Sequence, residues 1–370
     1  MKLAGLRVVD LSAFLPGPYL TLALADHGAE VIKVEQPGEG DPGRHIGLAD
    51  GPHTVFFRNL NRGKQSVVLD LKRDDDRAAL LQLAAQADVF IESFRPGVAA
   101  RLGVDYATLR ETNPGLVYCS ISAFGQEGPC RDRPAHDLAV EALSGALSLN
   151  LGDDGHPAIP GLPVADLLAG LQGLAGVLMA LLRRQQTGQG DFVDIAMLDC
   201  MAGALRNVLG PTMAEGRQPD PKLERTTGGS AFYRLYQTQD GERIALAGQE
   251  PKFIHALLGA LGRPELAPLV LQGPGMHQRP VMDFLETTFR QQPRAEWERR
   301  LAELDVCFGG VNTLPQALDD AQLVARGMVL HDADGRPHIA NPIRFLHEPS
   351  RPDLTSPALD AHRHLLPRRP

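Results

Sequence analysis

Cysteine is scarce and scattered. Cys119, Cys130, Cys200 and Cys307 are the four in 370 residues, and none stands in a CxxC pair. That spacing signals neither a disulfide framework nor a zinc site, and it fits reduced thiols in a cytoplasmic protein. Basic clusters are lacking too. The formal net charge is −8 and no long Lys/Arg run offsets it, which argues against a nucleic-acid partner. It leaves room for a local basic site that holds a phosphorylated ligand. The apolar run at the N-terminus is broken by Arg7 and Asp10, so it lacks a signal-peptide shape. The longest apolar helix expected, near 167–182, is interrupted by Gly170, Gln172, Gly173 and Gly176. It reads as a core helix and not as a membrane span. Repeats and low-complexity tracts are absent.

What is present is an alternation of short apolar strands and helices. LRVVDLS (6–12) reads as a strand, PGPYLTLALADHG (16–28) as a helix with proline at its start and glycine past its end, and AEVIKVEQP (29–37) as the next strand. A strand–helix–strand unit of this length predicts a parallel, doubly wound sheet. Further strands are expected at 61–72, 88–93 and 115–125, with a helix at 74–87 whose first turn is acidic. The turn after the first strand carries PGP and not GxGxxG, so a nicotinamide-binding fingerprint is missing. AFYRLYQTQDGERIALAG (231–248) reads as a hairpin with a DG turn, and EPKFIHALLGALG (250–262) as an amphipathic helix. The fold expected is α/β, with residues 1–214 in a large domain, 215–305 in a smaller α+β domain, and 306–370 returning to the first. The last twenty residues read as a surface tail.

Candidate chemistry centres on PAHDLAVEALSGALSLNLGDDGHPAIPGLPVAD (134–166). His136 and Asp137 stand at one expected helix N-terminus and Asp166 at the next. A histidine and a carboxylate there can converge on one substrate atom, and free helix N–H groups suit an oxyanion or enolate. The same acids also fit plain helix capping. Asp166 lies among apolar neighbours, which raises a carboxyl pKa. Glu250 opens the helix of the second domain. Arg62, Lys64, Arg95 and Arg101 fit a clamp for a phosphorylated ligand, Arg95 best because it follows directly from a buried strand, while a solvated face fits Arg62 and Lys64 equally.

Together these stretches resemble the class III CoA-transferase superfamily over nearly the whole chain. The pieces that carry the resemblance are LRVVDLSAFLPGPYLTLALADHGAEVIKVEQP, NRGKQSVVLDLK, ADVFIESFRPG, LVYCSISAFGQEGP, VADLLAG, TGQGDFVDIAMLD and GGSAFYRLYQTQDGERIALAG. The resemblance implies an acyl-CoA substrate, with CoA entering as part of it and no permanently bound cofactor or metal. It also implies a homodimer of interlocked, ring-like chains, each with a Rossmann-like large domain and a small domain. Phe94, Arg95 and the other cations named above fall on its coenzyme-binding stretches.

Two activities compete within that superfamily. In the transferases an Asp at the position of Asp166 attacks the acyl-CoA and carries the acyl group as a mixed anhydride. The CoA then passes through an enzyme-bound thioester to a second acid. Those enzymes usually have a residue other than His where this chain has His136, and many carry a glycine-rich loop in the small domain. Between 230 and 300 only GPG at 273–275 comes near such a loop. The other branch resembles alpha-methylacyl-CoA racemase. It has a His-Asp pair, matched by His136-Asp137, then an Asp matched by Asp166 in Val164-Ala165-Asp166. It continues with a Glu matched by Glu250 before Pro251, and the late Cys307 also looks like that branch. The racemase branch is the expected one. His136 and Asp166 then exchange the alpha proton from opposite faces, and Glu250 orients His136.

Overall fold

The structure, a computed structural model, describes residues 1–152 and 154–366. The chain forms two compact units. One holds Met1–Ser144, Pro160–Ala204 and the chain from Ala321 onward; the other holds Gly145–Ile159 and Leu205–Asp320.

The first unit is built on six strands: β1 (Arg7–Asp10), β2 (Glu30–Glu35), β3 (Gln65–Val68), β4 (Val89–Glu92), β5 (Val117–Ser122) and β6 (Phe192–Ala196). Their order across the sheet is β3-β2-β1-β4-β5-β6. Every pairing is parallel, with Val8 opposite both Val31 and Val89. This is the doubly wound order, and its switch point lies between β1 and β4, where ligands enter beyond the carboxyl ends of the strands. Apolar runs and not alternating ones build the central strands, because both faces are covered. All six residues of β5 are buried. Val9, Ile32, Phe90 and Tyr118 pack on one face with Leu80 and Leu83. Those leucines belong to α2 (Asp74–Ala85), which follows α1 (Pro16–Asp26) in the chain.

Three more helices matter for the site: α3 (Asp137–Ser144), α4 (Val164–Thr187) and α5 (Met197–Ala204). The glycines that interrupt the apolar pattern of α4 have a packing role. A Cβ on Gly170 would lie 2.8 Å from the carbonyl oxygen of Pro16, and one on Gly173 would lie 2.7 Å from Leu20. They let α4 approach α1 closely. By length and composition α4 could cross a membrane, and part of its surface is buried against the sheet and its neighbours.

The C-terminal segment departs from the surface tail expected. The Gly63 N–H donates to Thr355 O at 2.8 Å, the His362 N–H to Ser66 O at 2.9 Å, and the Val68 N–H to the Asp360 carboxylate at 2.8 Å. The segment covers the open edge of β3, whose backbone groups need partners. Pro367–Pro370 of that tail lie outside the described residues.

In the second unit, β7 (Arg234–Gln237) and β8 (Arg243–Leu246) form the expected antiparallel hairpin. Gly241, at φ 81°, supplies the left-handed residue of its DG turn. Strand β9 (Phe308–Gly310) then pairs with β8. The unit therefore runs to Asp320, where the sequence pattern placed the return at residue 306, because this short apolar stretch completes the sheet. Helices α6 (Pro251–Ala260), α7 (Arg279–Phe289) and α8 (Arg294–Glu303) are the longest of this unit. Trp297 is buried, with its indole N–H donating to Phe289 O at 2.9 Å. Truncating such a side chain costs about 3–5 kcal/mol.

Candidate active site

The turns that leave β1 and β4 meet at the switch point. The Ala13 N–H donates to Ser93 Oγ at 3.1 Å, and the Phe94 N–H donates to the Glu92 carboxyl at 2.6 Å. Phe14 takes a left-handed backbone (φ 64°), costly for an aromatic residue, and its N–H donates to Asp41 at 3.3 Å. Two cavities open there, and both are lined by Ala13, Phe14, Ser93 and Phe94. One, about 630 Å³, extends over the ends of β2 and β3 past Gln36, Leu71 and Lys72. The other, about 460 Å³, contains His136 and Asp166.

His136 and Asp166 are thus brought together by the chain. The His136 carbonyl accepts from the Ala139 and Val140 N–H groups and so starts α3. Its ring stands edge-on to Phe14, with centroids 5.9 Å apart. Asp166 sits in the first turn of α4. Among the described residues it is the single carboxylate lining the cavity. Burial, then the nearby carboxylates of Asp137 and Glu141, push its pKa up to about 7. Near neutral pH it is divided between acid and carboxylate.

The first turn of α4 corrects one expectation. Its N–H groups are not all free for a substrate oxyanion. The Asp166 N–H donates to Asp137 Oδ1 at 3.1 Å, and the Val164 N–H donates to Glu141 Oε1 at 3.0 Å. Asp137 therefore acts as a cap supplied from a neighbouring helix. Glu141 was missed in the sequence. The signal available was an acid one turn beyond Asp137 inside an apolar helix.

The cations divide into two groups. Arg62 is buried and bidentate to Asp26, at 2.8 and 3.2 Å. Lys64 is buried on Thr21 (2.7 Å), Asn61 (3.0 Å), Pro18 O (3.1 Å) and Asp10 (3.4 Å), and burial lowers its pKa to about 8. Neither faces the cavities, so the phosphate-clamping role expected of them gives way to core ion pairs. Arg95 lines the Asp166 cavity, as do Arg131 and Arg133. Arg101 and Arg131 both approach Gly97, each 3.7 Å from the place of an added Cβ. None of these four side chains has an ion-pair partner among the described residues. Arg131 and Arg133 were not singled out from sequence, although they precede His136 in the same loop.

Glu250 stands in the second unit at the N-cap of α6, exposed, and its side chain makes no capping hydrogen bond. Cys307 is exposed in the same unit.

Residues 3–363 match the profile of CoA-transferase family III. The chain belongs to that family. Among curated proteins it is 36% identical over 334 residues to an acetyl-CoA:oxalate CoA-transferase of Acetobacter aceti, a match spanning 88% of this chain and 85% of the relative. It is 33% identical to a succinate–glutarate CoA-transferase of Agrobacterium fabrum, over 97% of this chain and 93% of the relative. Among solved structures it is similar to a CaiB/BaiF family protein from Brucella suis. That match has a TM-score of 0.85 and 33% identity, and it covers 97% of each chain. Membership makes the chain an enzyme of the class III type, and CoA thioesters are the substrates consistent with it. The relatives carry transferase names, which favours the transferase alternative over the racemase branch expected from sequence.

Proposed function

We propose that this class III family member moves CoA between an acyl-CoA and a free carboxylic acid, with Asp166 as the covalent carrier. The observation that carries the reading is the placement of Asp166 as the lone carboxylate in a cavity at the switch point, among unpaired arginines. The Asp166 carboxylate attacks the thioester carbonyl, a C–O bond forms, the C–S bond breaks, and CoA leaves as the thiolate. The thiolate returns to the Asp166 carbonyl, releases the first acid, and leaves an Asp166–CoA thioester. A second carboxylate repeats the sequence in reverse. His136 lines the pocket beside the reacting centre.

The coenzyme's adenosine end extends into the larger cavity toward Lys72, and its phosphates lie at the Phe94 lining that the two cavities share. Arg95, Arg101, Arg131 and Arg133 hold its phosphates, and the thioester reaches Asp166 through the lining the two cavities share. Relatives named for oxalate, succinate and glutarate make short dicarboxylic acids the first acceptors to try. A homodimer is part of the proposal. Leu171, Met179 and Leu182 on α4, with Leu138 and Leu143 on α3, are exposed apolar side chains that a second copy can cover.

The test is CoA transfer from succinyl-CoA or acetyl-CoA to a panel of acids, followed by mass spectrometry. Product acyl-CoA in the parent and none in Asp166→Ala supports the reading; equal transfer in both removes it.

One observation favours the racemase reading as second choice: His136 and Asp166 share one cavity. There His136 removes the alpha proton and Asp166 returns one to the other face. A single enantiomer of a 2-methylacyl-CoA in heavy water, with no acceptor acid, separates the two. Deuterium at the alpha carbon with loss of optical purity supports the racemase, and no exchange supports the transferase.

A further inference from the structure

Four buried acids of the first unit are paired with cations: Asp10 with Lys64, Asp26 with Arg62, Glu35 with Arg44 and Asp41 with Lys33. Glu92, by contrast, is buried with no cation paired to it among the described residues, and burial pushes its pKa up to about 7. Glu141 is 2% exposed and has no such cation among the described residues. It and Asp137 instead receive the backbone N–H groups of Val164 and Asp166. Both carboxyls are thereby held against the turn that carries the Asp166 side chain; after burial they are what raises the Asp166 pKa, and burial, then Asp137, raise the Glu141 pKa in turn. The other titratable or charged side chains lining the Asp166 cavity are His136, Arg95, Arg131 and Arg133. On α5 the titratable groups are Asp199 and Cys200, and Asp199 interacts with Asp194 and Cys200.

Resting on the transferase reading, we propose that Asp137 and Glu141 are positioning residues that drive negative charge off Asp166 and onto the departing CoA thiolate. When Asp166 attacks the thioester, its carboxylate becomes a neutral anhydride and the electron pair of the broken C–S bond leaves on sulfur. In the free enzyme that carboxylate faces two like charges. In the anhydride, and again in the Asp166–CoA thioester, the repulsion is gone. Like-charge neighbours therefore raise the free carboxylate relative to both covalent intermediates. The backbone hydrogen bonds keep the two acids in place while the side chain reacts.

Glu141→Gln keeps an acceptor for the Val164 N–H and removes the charge, while Glu141→Ala removes both. The full-length protein is mixed with acyl-CoA across a pH series, and the Asp166 adduct is trapped with hydroxylamine and quantified. The Gln variant is expected to move the midpoint of adduct formation down by about one pH unit. Its adduct yield above the midpoint is expected to fall about tenfold. Asp137→Asn should shift the midpoint in the same direction, which covers a Glu141 variant that fails to fold. An adduct in the parent with an unchanged midpoint and yield in both charge-neutral variants overturns the inference alone. No adduct in the parent with any acyl-CoA overturns the transferase reading, and this inference with it.

Discussion

The backbone N–H of Asp166 donates to the Asp137 carboxylate across 3.1 Å, from the first turn of one helix to the first residue of another. This contact ties the reactive side chain to the segment that also carries His136. It makes the two helix starts one structural element, and it sets the electrostatics on which the predictions below depend.

Asp166 attacks only as the carboxylate. With its pKa near 7, the rate of CoA transfer should rise with pH between about 5 and 8, with its midpoint near 7. A pH–rate profile of kcat/KM, which reports the free enzyme, checks this. A midpoint near 4, the ordinary carboxyl value, contradicts it.

The same shift has a consequence for stability. The folded state holds the Asp166 proton more tightly than the unfolded chain, whose carboxyl titrates near ~4. Stability should therefore fall as pH rises from about 4 to about 7. Glu92 behaves alike: burial first pushes its pKa up to about 7 despite hydrogen bonds from Ser120 and the Phe94 N–H. Asp166→Asn and Glu92→Gln should each melt higher than the parent at pH 8, by roughly 2 °C or more, and close to the parent near pH 4. Thermal melts at the two pH values check the sign.

The cations divide into two predicted phenotypes. Arg95→Ala, Arg131→Ala and Arg133→Ala should each raise KM for acyl-CoA by about tenfold or more and leave the melting temperature near the parent's. Arg62→Ala breaks a buried pair and leaves Asp26 uncompensated, which costs about 3–5 kcal/mol of stability. Steady-state kinetics beside denaturant melts separates the two groups.

The glycines of α4 give a packing test. Gly173→Leu places a side chain where Leu20 already lies. Overpacking of this kind costs about 1–3 kcal/mol, and Gly203→Leu, with open space at its Cβ position, should cost less. Chemical denaturation of both variants measures the difference.

Much of the fold was legible because local patterns decided it. The strand–helix–strand opening, the acidic first turn of α2 and the DG hairpin each follow from short stretches of sequence. Phe308–Gly310 was not legible as a strand of the second unit, because three residues with two glycines carry no periodicity and gain their place only by pairing with β8. The C-terminal segment looked like a tail because its partners are backbone groups of an edge strand, which composition does not reveal. His136 and Asp166 were found through their helix starts. Arg62 and Lys64 were misread because a cation ahead of a strand looks the same whether it faces a phosphate or a buried Asp. Glu141 was missed because its partner is a backbone N–H more than twenty residues away.

The most direct test of the account follows oxygen. An acceptor acid labelled with heavy oxygen forms its anhydride through one of its own carboxylate oxygens, and attack of CoA on the acyl carbon leaves that oxygen on Asp166. The protein is turned over with unlabelled acyl-CoA and labelled acid, digested, and the peptide containing Asp166 is weighed. Heavy oxygen in Asp166, absent when acyl-CoA or labelled acid is omitted, is the result predicted. Formation of product acyl-CoA with no label in that peptide contradicts the covalent role of Asp166.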